Sequence, residues 1–370
     1  MNSMGNGIDR PASRLQWHPD WIRVELAGEH GAFIHPSGRI LRVQDESNLD
    51  MLSQAMNHGR SLADVIDGMR EQEAASFLKL ARMLIEKGVL MRVLPVSVPW
   101  LSENKYARMH SQIISLAGML RSTERALLAQ KRLATAKAAL IGVGGSGAML
   151  ALELVSAGVG EVRLVDDDRV EMGNLGRQFL YRECHVGIPK VTALSEILHE
   201  YDSEARVELV ATRVADLDSA YEAVRGCDIA ILTADDPWPE LMRWVGAAAR
   251  RAGCSLLPTF YSSYGPLIQP SAGPCVDCVL AWIDSGVRVI LGSSSAPLSA
   301  SDGARRLGGM GIGIAAAASE YAREVVGYIS GAFPVWSLKG SVKTTGGQRS
   351  VNTDIMSFRC DACSDSSNEV

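Results

Sequence analysis

The stretch from Ala138 to Asp168, AALIGVGGSGAMLALELVSAGVGEVRLVDDD, constrains this chain most. Ala138–Val143 is a short apolar run without helical period, suited to a buried parallel strand. Gly142, Gly144, Gly145 and Gly147 follow at once. A backbone without Cβ turns sharply and lets a phosphate approach its N–H groups. Ala148–Ser156 continues as a helix with its N-terminus at that turn. Gly158 and Gly160 end the helix, and Glu161–Val165 forms a second strand. Asp166 lies just past the strand end, about 20 residues beyond the glycines, where an acidic side chain meets ribose hydroxyls. The pattern is a nucleotide-binding βαβ unit, and the glycines leave NAD, FAD and ATP open.

Around this unit the chain alternates. Strands are expected at 207–210, 228–232 and 256–259, with helices near 190–200 and 239–252 and an apolar, buried helix over 311–329. That predicts an α/β fold with a Rossmann-like, mostly parallel sheet. Residues 1–17 are polar and read as a loose N-terminus. Residues 18–95 read as a separate small domain. Strand-like runs at 22–26, 32–35 and 40–43 include a Pro36-Ser37-Gly38 turn. Helices are expected at 48–57, 62–69 and 71–87, and 89–93 returns as a strand. This order is a winged-helix-like α+β pattern; a small domain for packing or dimerisation is the plainer alternative. Residues 96–103 form a linker, 105–130 one helix, and 290–310 a Gly/Ser/Ala-rich mobile loop.

Composition matters for what it excludes. With 370 residues, 47% apolar and 21% charged, the chain has room for two or three ordinary globular domains. The net charge of −5 argues against a nucleic-acid surface. Residues 1–95 hold 11 Lys/Arg against 12 Asp/Glu, so a DNA-binding winged helix is disfavoured. No apolar run reaches membrane-spanning length, and the first 30 residues lack a signal core, which predicts a cytoplasmic protein with no membrane partner. Of seven cysteines, four form two CxxC pairs, Cys275/Cys278 and Cys360/Cys363. In an unexported protein this favours metal over disulfides. Four thiolates make a closed, structural Zn²⁺ site that ties the C-terminus back to the core. Cys184, Cys227 and Cys254 read as ordinary thiols.

Four features extend the glycine turn: VDDDRVEMGNLGRQFL (165–180), VGIPK (186–190), Asp235 just after a strand, and the cysteine set. In this order the chain, over about residues 104–363, resembles the superfamily of ubiquitin-activating-type adenylyltransferases. That superfamily includes the activators of the sulfur carriers of molybdopterin and thiamin synthesis. Within it, YSSYGPLIQPSAGPCVDC (261–278) and the extra N-terminal domain resemble the peptide-modifying branch. Its members include the microcin C7 adenylyltransferase and the pantocin A enzyme.

The resemblance implies attack of a carboxylate or amide oxygen on the α-phosphorus of ATP, with Mg²⁺, followed by capture within the peptide. It implies that Asp166 binds ribose, with Asp168 in the same pocket. Asn174, Arg177 and Gln178 would contact phosphates, and Lys190 would lie near the leaving pyrophosphate. Asp235 would hold magnesium, with Asp236 beside it leaving the choice of carboxylate open. Arg108 would be lent across a homodimer interface to the partner's ATP. The N-terminal domain would bind the leader of a ribosomally made precursor peptide by adding a strand to its sheet. Residues 279–310 contain no cysteine, which argues against a thioester or persulfide step there. A sulfur-carrier activator is the second reading. A non-catalytic leader-delivery adaptor is the third, disfavoured because Asn174, Arg177, Lys190 and Asp235 are all present.

Overall fold

The computed structural model describes residues 14–25, 31–260, 263–291, 310–345, 348–357 and 359–360. The chain divides into two compact units, Met1–Lys131 and Arg132–Val370.

The first unit runs β1 (Leu15–Trp17), β2 (Ile22–Glu25), β3 (Gly31–Ile34), β4 (Ile40–Val43), α1 (Glu46–Asn57), α2 (Leu62–Ile66), α3 (Glu71–Glu86), β5 (Leu90–Arg92) and α4 (Glu103–Leu120). β2, β3 and β4 form an antiparallel sheet in that order. The β3–β4 turn places Gly38 at φ 83°, a conformation glycine adopts without strain. Asp45 caps α1, and Ser61 and Asp64 close a capping box on α2. Phe33, Leu49, Leu52, Phe77 and Leu84 form a sealed core. Leu15–Trp17, expected in the loose N-terminus, instead pairs antiparallel with β5, Leu15 facing Arg92 and Trp17 facing Leu90. Three residues are too few for alternation to register in the sequence.

The single helix expected over 105–130 is two. α4 ends where Arg121 takes a left-handed φ of 52°, and Ser122 Oγ accepts from Arg125 N at the start of α5 (Thr123–Thr135). An arginine in that conformation carries no sequence signature.

The second unit continues with β6 (Lys137–Ile141), α6 (Gly145–Ser156), β7 (Glu161–Val165), α7 (Lys190–Tyr201), β8 (Val207–Val210), α8 (Leu217–Val224), β9 (Ile229–Leu232), α9 (Glu240–Ala252), β10 (Ser255–Phe260), β11 (Ser263–Tyr264), α10 (Val276–Leu291), α11 (Gly311–Ser330), β12 (Ser341–Thr345) and β13 (Gln348–Asn352). One eight-stranded sheet has the order β13-β12-β11-β10-β9-β6-β7-β8. From β10 to β8 the pairings are parallel; β11, β12 and β13 extend the sheet antiparallel. The sheet is therefore mixed, where a mostly parallel one was expected. β12 reads SVKTT and β13 QRSVN, too polar to stand out as strands.

Both faces of the parallel part are covered. Leu140 packs into one cluster with Leu150, Leu164 and Ile231, while its neighbour Ile141 packs into the other with Val245 and Leu256. This period of two is why the strands read as unbroken apolar runs. α11 spans the expected helix, but its first turn is open: Ile312 is 73% exposed, whereas Ala318, Tyr321 and Val325 are buried. The loop expected over 290–310 lies almost wholly outside the described residues. No helix among the described residues is long and apolar enough to cross a membrane.

Strand order reverses at β6. The chain moves outward through β7 and β8, then returns to β9 on the other side. In an open α/β sheet such a switch point leaves a crevice beyond the carboxyl ends of the central strands.

Candidate nucleotide site and cysteine cluster

The glycine turn fills that crevice. Gly142 has φ 93°, and a Cβ there would sit 2.6 Å from Ala234 N. A Cβ on Gly147 would lie 2.0 Å from Gly142 O. Both glycines are demanded by close backbone approach. Gly144 is the N-cap of α6 and has space around it, the nearest atom being Gln178 Nε2 at 3.6 Å. The turn thus presents the first N–H groups of α6 to any anion that settles there. Gly145 is crowded by Ile314 of α11 and by Arg177 O.

Asp166 reaches back across this turn. Its carboxylate accepts from Val143 N at 2.8 Å and from Asp168 N at 2.9 Å. Burial pushes its carboxyl above the ordinary aspartate value, although Lys190 and the two amide donors pull it back. Lys190, the first residue of α7, is buried, and its Nζ donates to Asp168 Oδ2 at 2.6 Å. Lys190 N also donates to Asp168 O at 2.9 Å. Asp168 therefore engages Lys190 twice.

The segment after β7 passes over the turn. Met172–Asn174 forms a 3₁₀ turn, and buried Asn174 accepts from Glu171 N through Oδ1 at 2.9 Å. Arg177 Nη1 donates to Gly173 O at 2.9 Å, at the solvent edge. Gln178 is buried, and its Oε1 has no hydrogen-bond partner among the described residues. A buried amide oxygen left without a donor is unusual in a native fold, and this one belongs to a side chain that reaches Gly144.

Asp235 follows the end of β9. Thr233 Oγ1 donates to Gly142 O at 2.5 Å, which brings this loop against the glycine turn. Asp236 is paired with Arg213 at 2.8 Å, whereas Asp235 forms no ion pair among the described residues. The surrounding protein and the charge of Asp236 raise Asp235 above the ordinary aspartate value, its own amide opposing them. Arg108 lies exposed on α4, in the first unit.

Two residues at the turn carry no expectation from the sequence. Tyr181 is buried, and its hydroxyl donates to Val143 O at 2.6 Å. Burial drives its phenol far above the usual tyrosine range, so it stays a donor. Thr233 is the other. Both sit within three residues of residues singled out in the sequence, Gln178 and Asp235. A hydroxyl flanking a motif is nonetheless common enough to pass unnoticed.

The cysteines converge as expected for those described. Cys275 and Cys278 flank the start of α10. Cys275 Sγ lies 3.7 Å from Cys278 Sγ and 3.7 Å from Cys360 Sγ, and all three sulfurs fall within 4.8 Å of one another. A disulfide needs about 2.05 Å. A tetrahedron with Zn–S bonds of about 2.3 Å has edges of roughly 3.8 Å, so the spacing fits three corners of a zinc site. Burial works against the Cys278 thiolate, but donors from Cys360 and Cys275 outweigh it and lower its value. Cys363 lies outside the described residues.

The model of the ThiF family matches residues 112–368. Mouse adenylyltransferase and sulfurtransferase MOCS3 is 33% identical over 213 residues, 57% of this chain and 46% of that protein. The chain spans about half the length, or less, of most of the curated relatives it matches. Among solved structures, E. coli MccB in its complex with ATP is similar at a TM-score of 0.67 and 22% identity, covering 95% of this chain and 98% of that one. PaaA is similar at 0.67 and 19%, covering 92% and 99%. These likenesses extend through both units, and the chain belongs to the ThiF family.

Proposed function

We propose that this chain is an ATP-dependent adenylyltransferase that activates a carboxylate or amide oxygen of a peptide or small carrier protein. The observation that carries the reading is the convergence of the glycine turn, Asp166, Lys190 and the Asp235 loop at the switch point of the sheet. Two anions must meet in such a reaction, so the protein has to neutralise charge and fix geometry. The N–H groups at the start of α6 and the Lys190 ammonium receive phosphate oxygens, and Asp166 receives ribose hydroxyls. Arg177 lies at the solvent edge, where its guanidinium swings onto the phosphates; Gln178 adds a polar contact at Gly144. Asp235 holds Mg²⁺ in preference to Asp236, which Arg213 already occupies; bound magnesium would offset the phosphate charge. Pyrophosphate leaves as the substrate oxygen bonds to the α-phosphorus.

The finer reading is a tailoring enzyme for a ribosomally made precursor peptide. MccB is described in complex with MccA, and it matches this chain along 95% of its length, first unit included. In this reading residues 18–95 form a winged-helix-like leader-recognition domain, 96–103 a linker, and 104–370 the catalytic domain, with Zn²⁺ on Cys275, Cys278, Cys360 and Cys363. The enzyme is a cytoplasmic homodimer in which Arg108 serves the partner's nucleotide. A second reading, activation of a sulfur carrier, is favoured by the higher identity to an adenylyltransferase and sulfurtransferase. Pyrophosphate release separates them. It should require a short peptide encoded beside the gene, and a small protein ending in Gly-Gly should not replace it. Release driven by the Gly-Gly protein alone would establish the second reading instead.

A further inference from the structure

Asp168 has a part that a ribose contact does not account for. The Lys190 side chain is only 7% exposed, and an ammonium held that far from water needs an anion beside it. Asp168 supplies one at 2.6 Å, yet its own side chain is 66% exposed. The pair is lopsided: the carboxylate can be hydrated when released, while the ammonium cannot. Asp168 is also fixed in place. Its N–H is held by Asp166 Oδ1 at 2.9 Å, and its carbonyl accepts from Lys190 N at 2.9 Å. Tyr181 braces the other side, donating to Val143 O at 2.6 Å and lying 3.4 Å from Lys190 O. Val143 N in turn donates to Asp166. These bonds close a ring around the turn, and the Lys190–Asp168 contact is the one link in it between two charged side chains.

We propose that Asp168 is the resting counter-ion of Lys190, a positioning residue displaced when a nucleotide phosphate takes the ammonium. The lysine then keeps an anion in both states, and exchange of one for the other never leaves it bare. Asp168 competes with the ligand it prepares for. The inference rests on the triphosphate reading above.

Calorimetry on the full chain tests it, with two probes: tripolyphosphate, which has no ribose, and a non-hydrolysable ATP analogue. Asp168→Asn removes the competing charge with little change of shape at an exposed position. Both probes should bind about fivefold tighter, the scale of one partly exposed ion pair. The ligand-free variant should melt lower than the unmodified protein, and saturating ligand should close that gap. In a Lys190→Met background, Asp168→Asn should shift neither probe by more than about twofold. Weaker binding of the ATP analogue with unchanged tripolyphosphate would make Asp168 a ribose ligand and overturn the proposal. Equal affinities with and without the substitution would overturn it as well. Should the unmodified protein bind tripolyphosphate but no ATP analogue, the nucleotide reading fails, and tighter tripolyphosphate binding in Asp168→Asn would still uphold the counter-ion.

Discussion

Gly147 and Gly144 stand three residues apart in one turn and answer to different constraints. A methyl group on Gly147 would press to 2.0 Å from Gly142 O and 2.8 Å from Thr233 Oγ1. Both are held by hydrogen bonding, so Gly147→Ala should destabilise the second unit by about 3 kcal/mol, read by urea denaturation. Gly144→Ala meets nothing closer than 3.6 Å. It should leave stability within about 0.5 kcal/mol and weaken ATP binding at least tenfold, because the added carbon occupies the phosphate approach. The same paired measurement fails the account if both variants lose stability alike. The raised carboxyl of Asp166 gives a pH test. Below its folded value it is protonated and is no longer an anionic acceptor for Val143 N, Asp168 N or a ribose hydroxyl. ATP affinity should therefore fall with pH at values above the ordinary aspartate range of about 3.9. Affinity constant down to that range would contradict it. At this scale the glycines and Asp166 were singled out by their spacing, and Lys190 by the family resemblance of its VGIPK motif. The sequence did not announce Tyr181, Thr233 or the Lys190–Asp168 pair, because each depends on atoms far apart in the chain meeting across the switch point.

Elements are tied together by buried charge as well as by apolar packing. Arg163 on β7 is buried, donates through Nη1 to Glu222 O, Ala223 O and Arg225 O at the end of α8, and pairs with Glu208 of β8 at 2.8 Å. One guanidinium thus satisfies helix-end carbonyls and links two strands to a helix. Arg163→Met should cost about 2 kcal/mol of stability and leave ATP affinity unchanged, since Arg163 bonds to α8 and β8 whereas Asp166 bonds to the glycine turn. Loss of ATP binding in a folded variant would show that the brace reaches the site. β6 and β9 were legible because each is apolar on both faces and sits between glycine or helix signals. β11 to β13 were not, since an edge extension made of Ser, Lys, Thr, Gln and Arg has the composition of a loop. The CxxC pairs were legible by spacing alone. Purified protein should carry one zinc per chain, and Cys278→Ser should lose it and lower the melting temperature. Metal analysis finding none in freshly purified protein would refute the site.

At the scale of the whole molecule, the family and the α/β framework were readable, and the partner was not. A glycine turn and its flanking motifs specify a nucleotide pocket. The substrate is recognised by surfaces that no local pattern encodes, and the order of strands and helices in the first unit is shared by domains of several uses. The homodimer can be tested through Arg108. If it serves the partner's nucleotide, Arg108→Ala and Lys190→Ala are each inactive alone. Refolded together in equal amounts, they should recover about a quarter of the sites, because half of the random dimers carry one complete site. No recovery would place Arg108 in its own subunit's site, and an Arg108→Ala variant active alone would place it outside the reaction.

The most direct measurement is a crystal structure of the protein soaked with magnesium and a non-hydrolysable ATP analogue. The account predicts phosphate density against the N–H groups at the start of α6 and within reach of Lys190 Nζ, ribose against Asp166, and metal at Asp235. A dinucleotide in the crevice, or a triphosphate bound elsewhere with the crevice filled only by solvent, would contradict it.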